Sequence, residues 1–205
     1  LSLNTVVLWR RRAAEACGRP GRALDVCCGT GDMAFEIHRR FQASTVGVDF
    51  SGGMIQRAAA KVRGRTLRRI EFLQGDALHL SFPDGSFDAA TVAFGIRNVT
   101  DPWRALREMT RVVRPGGRVV LLEFTLPPRR WLRSGYLFYF TRILPKIGRL
   151  IARAEIDAYR YLPDSVAEWP DPHTLAGRMT DTGLRDVDFT LLSFGIAALH
   201  VGVKA

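Results

Sequence analysis

Three short stretches carry acidic and glycine residues in patterns suited to holding a nucleoside. Leu24-Asp25-Val26-Cys27-Cys28-Gly29-Thr30-Gly31-Asp32 lies where an apolar run turns into a helical pattern. Glycines there let the backbone come close to a ligand and adopt dihedrals that a Cβ resists. The helix that follows aims unpaired N–H groups at the same point. Asp49 ends the next apolar run, and Gly75-Asp76-Ala77 follows the one after that. A carboxylate at Asp49 can accept hydrogen bonds from both hydroxyls of a ribose. Asp76 can accept from an adenine amino group, while Ala77 offers its backbone N–H to the ring.

A dinucleotide fingerprint would read Gly-x-Gly-x-x-Gly. Here Cys27, Gly29 and Gly31 recur at every second residue, and Ala34 stands where the third fingerprint glycine belongs. This spacing disfavours a nicotinamide cofactor and matches the Asp-x-Gly-x-Gly-x-Gly loop of S-adenosylmethionine enzymes, with Cys27 replacing the first glycine. The expected cofactor-binding set is Cys28, Gly29, Thr30, Gly31, Asp49, Asp76 and Ala77.

The elements that must position these residues alternate along the chain. Strands are predicted at Ala23 to Cys27, Ser44 to Asp49, Ile70 to Leu73, Phe87 to Ala93 and Arg118 to Phe124. Helices are predicted from Asp32 to Phe41, from a Ser51 cap to about Val62, and from Pro102 until Arg114-Pro115-Gly116-Gly117 stops the pattern. Such alternation argues for an α/β fold with a parallel sheet covered by helices on both faces. A helix at Pro172 to Thr182 and two closing strands, Leu184 to Leu192 and Ile196 to Val203, complete it. The architecture is that of a class I S-adenosylmethionine-dependent methyltransferase, Rossmann-like, with seven strands. The sheet is mostly parallel with an antiparallel final strand, and a helical, aromatic insert follows strand five. Residues 1–205 read as a single domain.

Composition bounds the function. Hydrophobic residues make up 47% and charged residues 24% of the 205, which excludes a disordered or collagen-like chain. No apolar stretch approaches the ~20 residues of a membrane span, and no secretory signal is visible. Three cysteines, two of them adjacent, predict a reducing cytoplasmic setting without a disulfide framework. Thirty basic against twenty acidic residues give +10, a surplus that draws anions such as nucleic acid or an acidic lipid surface and equally fits arginine-decorated helix faces. Charge is the sole feature pointing to a nucleic-acid binder, and no RNA- or DNA-reading motif accompanies it. The four histidines lack ligand spacing, so no metal site is expected.

Taken together, LDVCCGTGDMA, VGVDFSGGMI, GDALHLSFPDGSFDAATVAFGIRNVTD, ALREMTRVVRPGGRVVLLEF and YRYLPDSV resemble the ubiquinone/menaquinone-biosynthesis C-methyltransferases over nearly the whole chain. FGIRNVTD (Phe94 to Asp101) followed by YRYLPDSV (Tyr159 to Val166) is the more specific part; the sheet signature is shared by many methyltransferases. The resemblance implies S-adenosylmethionine held through Thr30, Asp49 and the Asp76-Ala77 pair. Many members carry a serine at the position of Ala93, so any cofactor contact of Ala93 here is expected through backbone. The family's usual N-terminal segment, which helps cover the cofactor, is expected to be missing ahead of Leu1.

The implied reaction is methylation of a prenylated quinol, demethylmenaquinol to menaquinol, with benzoquinol methylation in ubiquinone synthesis or another lipophilic acceptor as alternatives. A reduced quinone offers a carbon nucleophile once a phenolic proton is lost. The enzyme must then align the reactants, exclude water and stabilise the ring oxyanion; alignment alone can supply about 7–11 kcal/mol. Arg97 and Asn98 are the catalytic candidates, the guanidinium for the oxyanion and the amide to orient the hydroxyl. An arginine is too weak a base to take the proton, which is assigned to a bound water. Arg97 can equally cap a loop or pair with an acidic neighbour. Tyr159, Tyr161 and Asp164 are expected to line the acceptor pocket. Cys27 and Cys28 are expected to be buried and unreactive.

The insert, about 125–165, interleaves aromatics with arginines. It fits a lid over a prenylated ring touching acidic headgroups at the inner membrane face, and equally a packed capping layer or a homodimer contact. Calorimetric titration with S-adenosylmethionine, NADH and an RNA oligomer separates these readings. Heat is expected with the first alone; salt-sensitive RNA binding without a cofactor response would overturn the assignment.

Overall fold

Short valine- and alanine-rich runs become strands here because both of their faces are covered. β1 (Arg22–Val26), β2 (Ser44–Asp49) and β4 (Phe87–Ala93) are buried along almost their whole length, as parallel strands between two helical layers must be. The computed structural model describes residues 3–63, 69–129, 166 and 168–205. Together with β3 (Ile70–Gln74), β5 (Val113–Phe124), β6 (Leu184–Leu192) and β7 (Ala197–Lys204) these strands form one seven-stranded sheet. The order is β3-β2-β1-β4-β5-β7-β6. Strands β1 to β5 pair in parallel, and β7 lies antiparallel to both β5 and β6. This is the expected topology, and its order reverses between β1 and β4, where an open α/β sheet leaves a crevice.

Helices α1 (Leu3–Ala16) and α2 (Asp32–Phe41) cover one face, packing Trp9, Ala13, Met33 and Ile37 against Val120 and Leu122. On the other face, α4 (Pro102–Val112) and α5 (Pro172–Thr180), the next helix among the described residues, bury Leu106, Met109, Leu175 and Met179 against Leu24, Phe87 and Leu121. α3 (Gly52–Val62) connects β2 to β3. The caps anticipated from the sequence form. Ser51 Oγ accepts from Met54 N at 3.4 Å, and Asp101 Oδ1 accepts from Arg104 N at 2.9 Å, with Pro102 in the first turn.

Two elements depart from the sequence reading. α1 precedes the first expected element; Trp9 and Ala13, with Cys17 just past its end, form a buried stripe at four-residue steps. Trp9 Nε1 also donates to Ser193 Oγ at 3.1 Å, tying α1 to the turn between β6 and β7. β5 starts at Val113, not Arg118, because Val113 pairs with Phe87 before a register shift. Gly116, at φ 76, and Gly117, whose added Cβ would sit 2.6 Å from Asp88 O, let the strand continue through what reads as a stop. The insert expected after β5 lies almost entirely outside the described residues.

Asp25, in the middle of the sheet and 1% exposed, joins three elements. Its carboxylate accepts from Thr91 Oγ1 of β4 at 3.0 Å and from Ala34 N of α2 at 3.1 Å. Burial pushes its pKa from 3.8 up to about 7, against the opposing effect of those hydrogen bonds. Below pH 3.8 both folded and unfolded chains hold the proton; between there and pH 7 only the unfolded chain ionises freely, so this carboxyl's contribution to stability is lost as pH rises. Asp25→Asn removes that loss. Its unfolding free energy relative to the parent, from urea melts, is expected to grow by a few kcal/mol across that window and to level above it. A pH-independent difference would contradict this account.

Candidate active site

The crevice at the carboxyl ends of β1, β2 and β4 holds two adjoining cavities of about 460 and 360 Å³. Cys27, Asp49, Phe50, Asn98 and Val99 line both, so they form one continuous hollow within the size range of small-molecule sites. The larger takes in Cys28, Gly29, Thr30, Asp32, Ala93 and Arg10; the smaller takes in Gly75, Asp76, Ala77 and Leu78.

Asp49 organises the floor. Its Oδ2 accepts from Gly29 N at 2.8 Å and its Oδ1 from Ser51 N at 2.9 Å, so one carboxylate fixes both the glycine turn and the start of α3. Each oxygen has a second lone pair for a ligand hydroxyl. Cys27 occupies a left-handed conformation, φ 53, at the position where the glycine pattern is broken, and Gly29 follows at φ 54. A non-glycine residue there carries strain of about 1–3 kcal/mol. Gly31 serves packing: it caps α2 at φ 83, its Cβ would lie 2.3 Å from the Phe72 ring, and it lines neither cavity. Thr30 receives Lys61 Nζ on both its carbonyl and its hydroxyl at 2.9 Å, while Lys61 also reaches Asp32 Oδ1 at 2.7 Å. Asp76 Oδ1 accepts from Leu78 N at 2.9 Å, a local turn that holds Asp76 in the wall of the smaller cavity.

The electrostatics of the wall explain the inert thiols. Burial, then the charges of Asp49, Asp25, Glu123 and Asp76, push the Cys27 thiol up to about 12; burial likewise raises Cys28. Neither forms a thiolate near neutrality. Among the described residues no group of three His, Cys, Asp or Glu is placed to hold a metal ion.

At the tip of β4 the two catalytic candidates separate. Asn98 lines both cavities. Arg97 lines neither; its Nη1 donates to Phe94 O at 3.2 Å and to Glu123 Oε1, a buried ion pair at the ends of β4 and β5. The alternative of an acidic partner for Arg97 is therefore realised. Tyr159, Tyr161 and Asp164 lie outside the described residues.

Sequence reasoning missed Arg10, Phe50 and Glu123. Arg10 arrives from α1, lines the larger cavity and lies 3.4 Å from Asp32 Oδ2; the stripe that would have revealed α1 would also have placed it. Phe50, next to Asp49, is 79% exposed and forms an apolar flap between the cavities. The residues present suit S-adenosylmethionine: a carboxylate with spare acceptor capacity for the ribose, an acidic residue and a backbone turn for the adenine, and a cation for the methionyl carboxylate. Asp49→Ala is expected to weaken its binding about 10- to 100-fold by calorimetry, the loss of charge-assisted hydrogen bonds of about 1.5–3 kcal/mol. An unchanged dissociation constant would remove Asp49 from the site.

Comparison with known proteins agrees with this geometry. Residues 1–204 match the ubiE/COQ5 methyltransferase family. A demethylmenaquinone methyltransferase of Thermus thermophilus is 46% identical over 205 residues, covering 98% of this chain and 92% of the relative. The ubiquinone/menaquinone biosynthesis C-methyltransferase UbiE of a Geobacter species is 45% identical over 209 residues, covering 100% and 88%. Among solved structures, a SAM-dependent methyltransferase from Aquifex aeolicus gives a TM-score of 0.71 at 16% identity, covering 100% of this chain and 94% of that one. Phosphoethanolamine N-methyltransferase 2 of Haemonchus contortus, in complex with S-adenosyl-L-methionine, also gives 0.71, at 15% identity, covering 99% and 53%. At such identities the structural likeness establishes the fold. The full-length sequence match establishes more: this chain belongs to the ubiE/COQ5 methyltransferase family and is an S-adenosylmethionine-dependent methyltransferase.

Proposed function

We propose that this enzyme methylates a ring carbon of a prenylated naphthoquinol, converting demethylmenaquinol to menaquinol. The observation that carries the reading is the character of the crevice beside Ala93. Phe94 lines the cavity and packs its ring against Phe124 with centroids 4.5 Å apart, and Trp9 lies 6.1 Å from each. An aromatic side chain in the cavity wall, backed by two further rings, suits a fused aromatic ring better than a charged acceptor. The demethylmenaquinone methyltransferases of Thermus thermophilus and Deinococcus radiodurans, each 46% identical, favour the same acceptor class.

S-adenosylmethionine, when bound, supplies the electrophilic methyl group. The chain's own residues do the rest. Asp49 and the turn it fixes hold the nucleoside; Arg10 neutralises the methionyl carboxylate; Asn98, common to both cavities, orients the acceptor hydroxyl. Arg97 sits one residue before Asn98 in a dry setting, with its side chain 9% exposed, where a guanidinium interacts strongly with a developing oxyanion. No described helix is long and apolar enough to cross a membrane. The basic surplus is assigned to contact with an acidic membrane face from the cytoplasm, where a prenylated acceptor resides.

A labelled-methyl assay against naphthoquinols and benzoquinols tests the reading. Transfer to naphthoquinols is expected, with Arg97→Ala lowering turnover about 10²- to 10³-fold. Preferential transfer to benzoquinols would move the enzyme to ubiquinone synthesis, and unchanged turnover in Arg97→Ala would end the role given to that side chain.

A further inference from the structure

Lys61 stands in the last turn of α3, outside both cavities, yet its ammonium turns toward the cofactor loop. Its Nζ donates to Thr30 O and to Thr30 Oγ1 at 2.9 Å each, and to Asp32 Oδ1 at 2.7 Å. An ammonium has three protons to donate, and here every one is directed at the start of α2. A lysine in the last turn of a helix ordinarily serves its own helix, by meeting the final carbonyls and the negative end of the dipole. Lys61 bridges to a different element instead. A partly exposed ion pair adds little stability by itself, so this convergence is better explained by what the loop holds.

Thr30 and Asp32 both line the larger cavity, and so does Arg10, which faces Asp32 Oδ2 at 3.4 Å. Asp76 belongs to the smaller cavity and Asp49 to both. With adenine at Asp76 and ribose at Asp49, the methionyl end of the cofactor falls among Thr30, Asp32 and Arg10. Two properties of that end depend on Lys61. The first is the direction of a hydroxyl. A threonine hydroxyl has one proton and two acceptor sites; Thr30 Oγ1 accepts from Lys61, so its own proton is left to give to a ligand carboxylate. The second is charge. Asp32 alone would repel an incoming carboxylate, and with Arg10 as its sole partner it would cancel the guanidinium. Lys61 engages the other oxygen of Asp32, so two cations share one anion and one positive charge remains for the ligand.

We propose that Lys61 is a positioning residue for the methionyl end of the cofactor: acting through Thr30 and Asp32, it makes the crevice select nucleosides that carry an amino-acid carboxylate. The inference rests on the reading of Arg10, Asp49 and Asp76 given above. Lys61 itself lines neither cavity; it sets the Thr30 hydroxyl as a donor and the net charge of the wall. Because its three bonds leave from a single nitrogen, the planar fork of an arginine at this position keeps the charge without reproducing the convergence.

Calorimetric titration of the parent, Lys61→Met and Lys61→Arg with S-adenosylhomocysteine and with methylthioadenosine tests this. The two nucleosides share adenine and ribose, and the second lacks the amino-acid end. Lys61→Met is expected to weaken S-adenosylhomocysteine binding about 5- to 20-fold and to leave methylthioadenosine within about twofold of the parent. Lys61→Arg is expected to fall between the parent and Lys61→Met on S-adenosylhomocysteine. Equal losses on both nucleosides would reduce Lys61 to a general support of the loop and overturn the proposal, as would an unchanged affinity of Lys61→Met for S-adenosylhomocysteine. Should Lys61→Met fail to fold, Lys61→Arg is read on the same pair, and its loss must again be confined to S-adenosylhomocysteine. Failure of the site reading shows separately, as a parent that binds the two nucleosides equally, and the proposal then falls with it.

Discussion

The reversal of strand order between β1 and β4 is the constraint on which the rest of the molecule depends. Because the chain runs outward through β2 and β3 before returning to β4, the loops after β1 and β4 diverge to opposite sides and cannot fill the space between them. A hollow is therefore a consequence of topology, and side chains decide only what it holds. Asp49 performs much of that work by spending both oxygens on the backbone of neighbouring loops while leaving lone pairs to spare. Asp25 plays the complementary part beneath, bonding the three elements that meet at the turn. The two carboxylates show how environment divides roles: one buried and held near neutrality, the other at the rim and available.

Much of this was legible in the sequence, for identifiable reasons. Parallel strands buried on both faces read as continuous apolar runs, so β1, β2 and β4 stood out, and Asp49 and Asp76 could be placed at strand ends by counting. What could not be read was tertiary. Arg114-Pro115-Gly116-Gly117 looks like a terminator locally, yet pairing with Phe87 and the tolerance of two glycines carry β5 through it. Gly31 was grouped with the ligand-binding glycines on spacing; its neighbours show that it makes room for Phe72. The missed α1 had a clear stripe in Trp9 and Ala13, continued by Cys17 just past its end, and with it went Arg10.

The Arg97–Glu123 pair is the least predictable part, since the two residues meet only through the adjacency of β4 and β5 in the sheet. Enclosing opposite charges this deeply is not a general route to stability, because desolvation consumes most of the attraction. Its place at the ends of β4 and β5, with Arg97 Nη1 also donating to Phe94 O, fixes the turn after β4 to the neighbouring strand.

The left-handed Cys27 has an evolutionary corollary. Its Cβ occupies the space that any side chain at position 95 would need, with an added Cβ there approaching to 2.5 Å, although Gly95 itself has an ordinary backbone conformation. Tolerance at the second position is thus conditional on the first: cysteine at 27 confines position 95 to glycine, whereas glycine at 27 would leave the carbonyl of residue 27, at 3.3 Å, as the contact a Cβ there must accommodate. The two sites are therefore sterically coupled, and any homologue bearing a larger residue at the later position is expected to carry glycine at the earlier one.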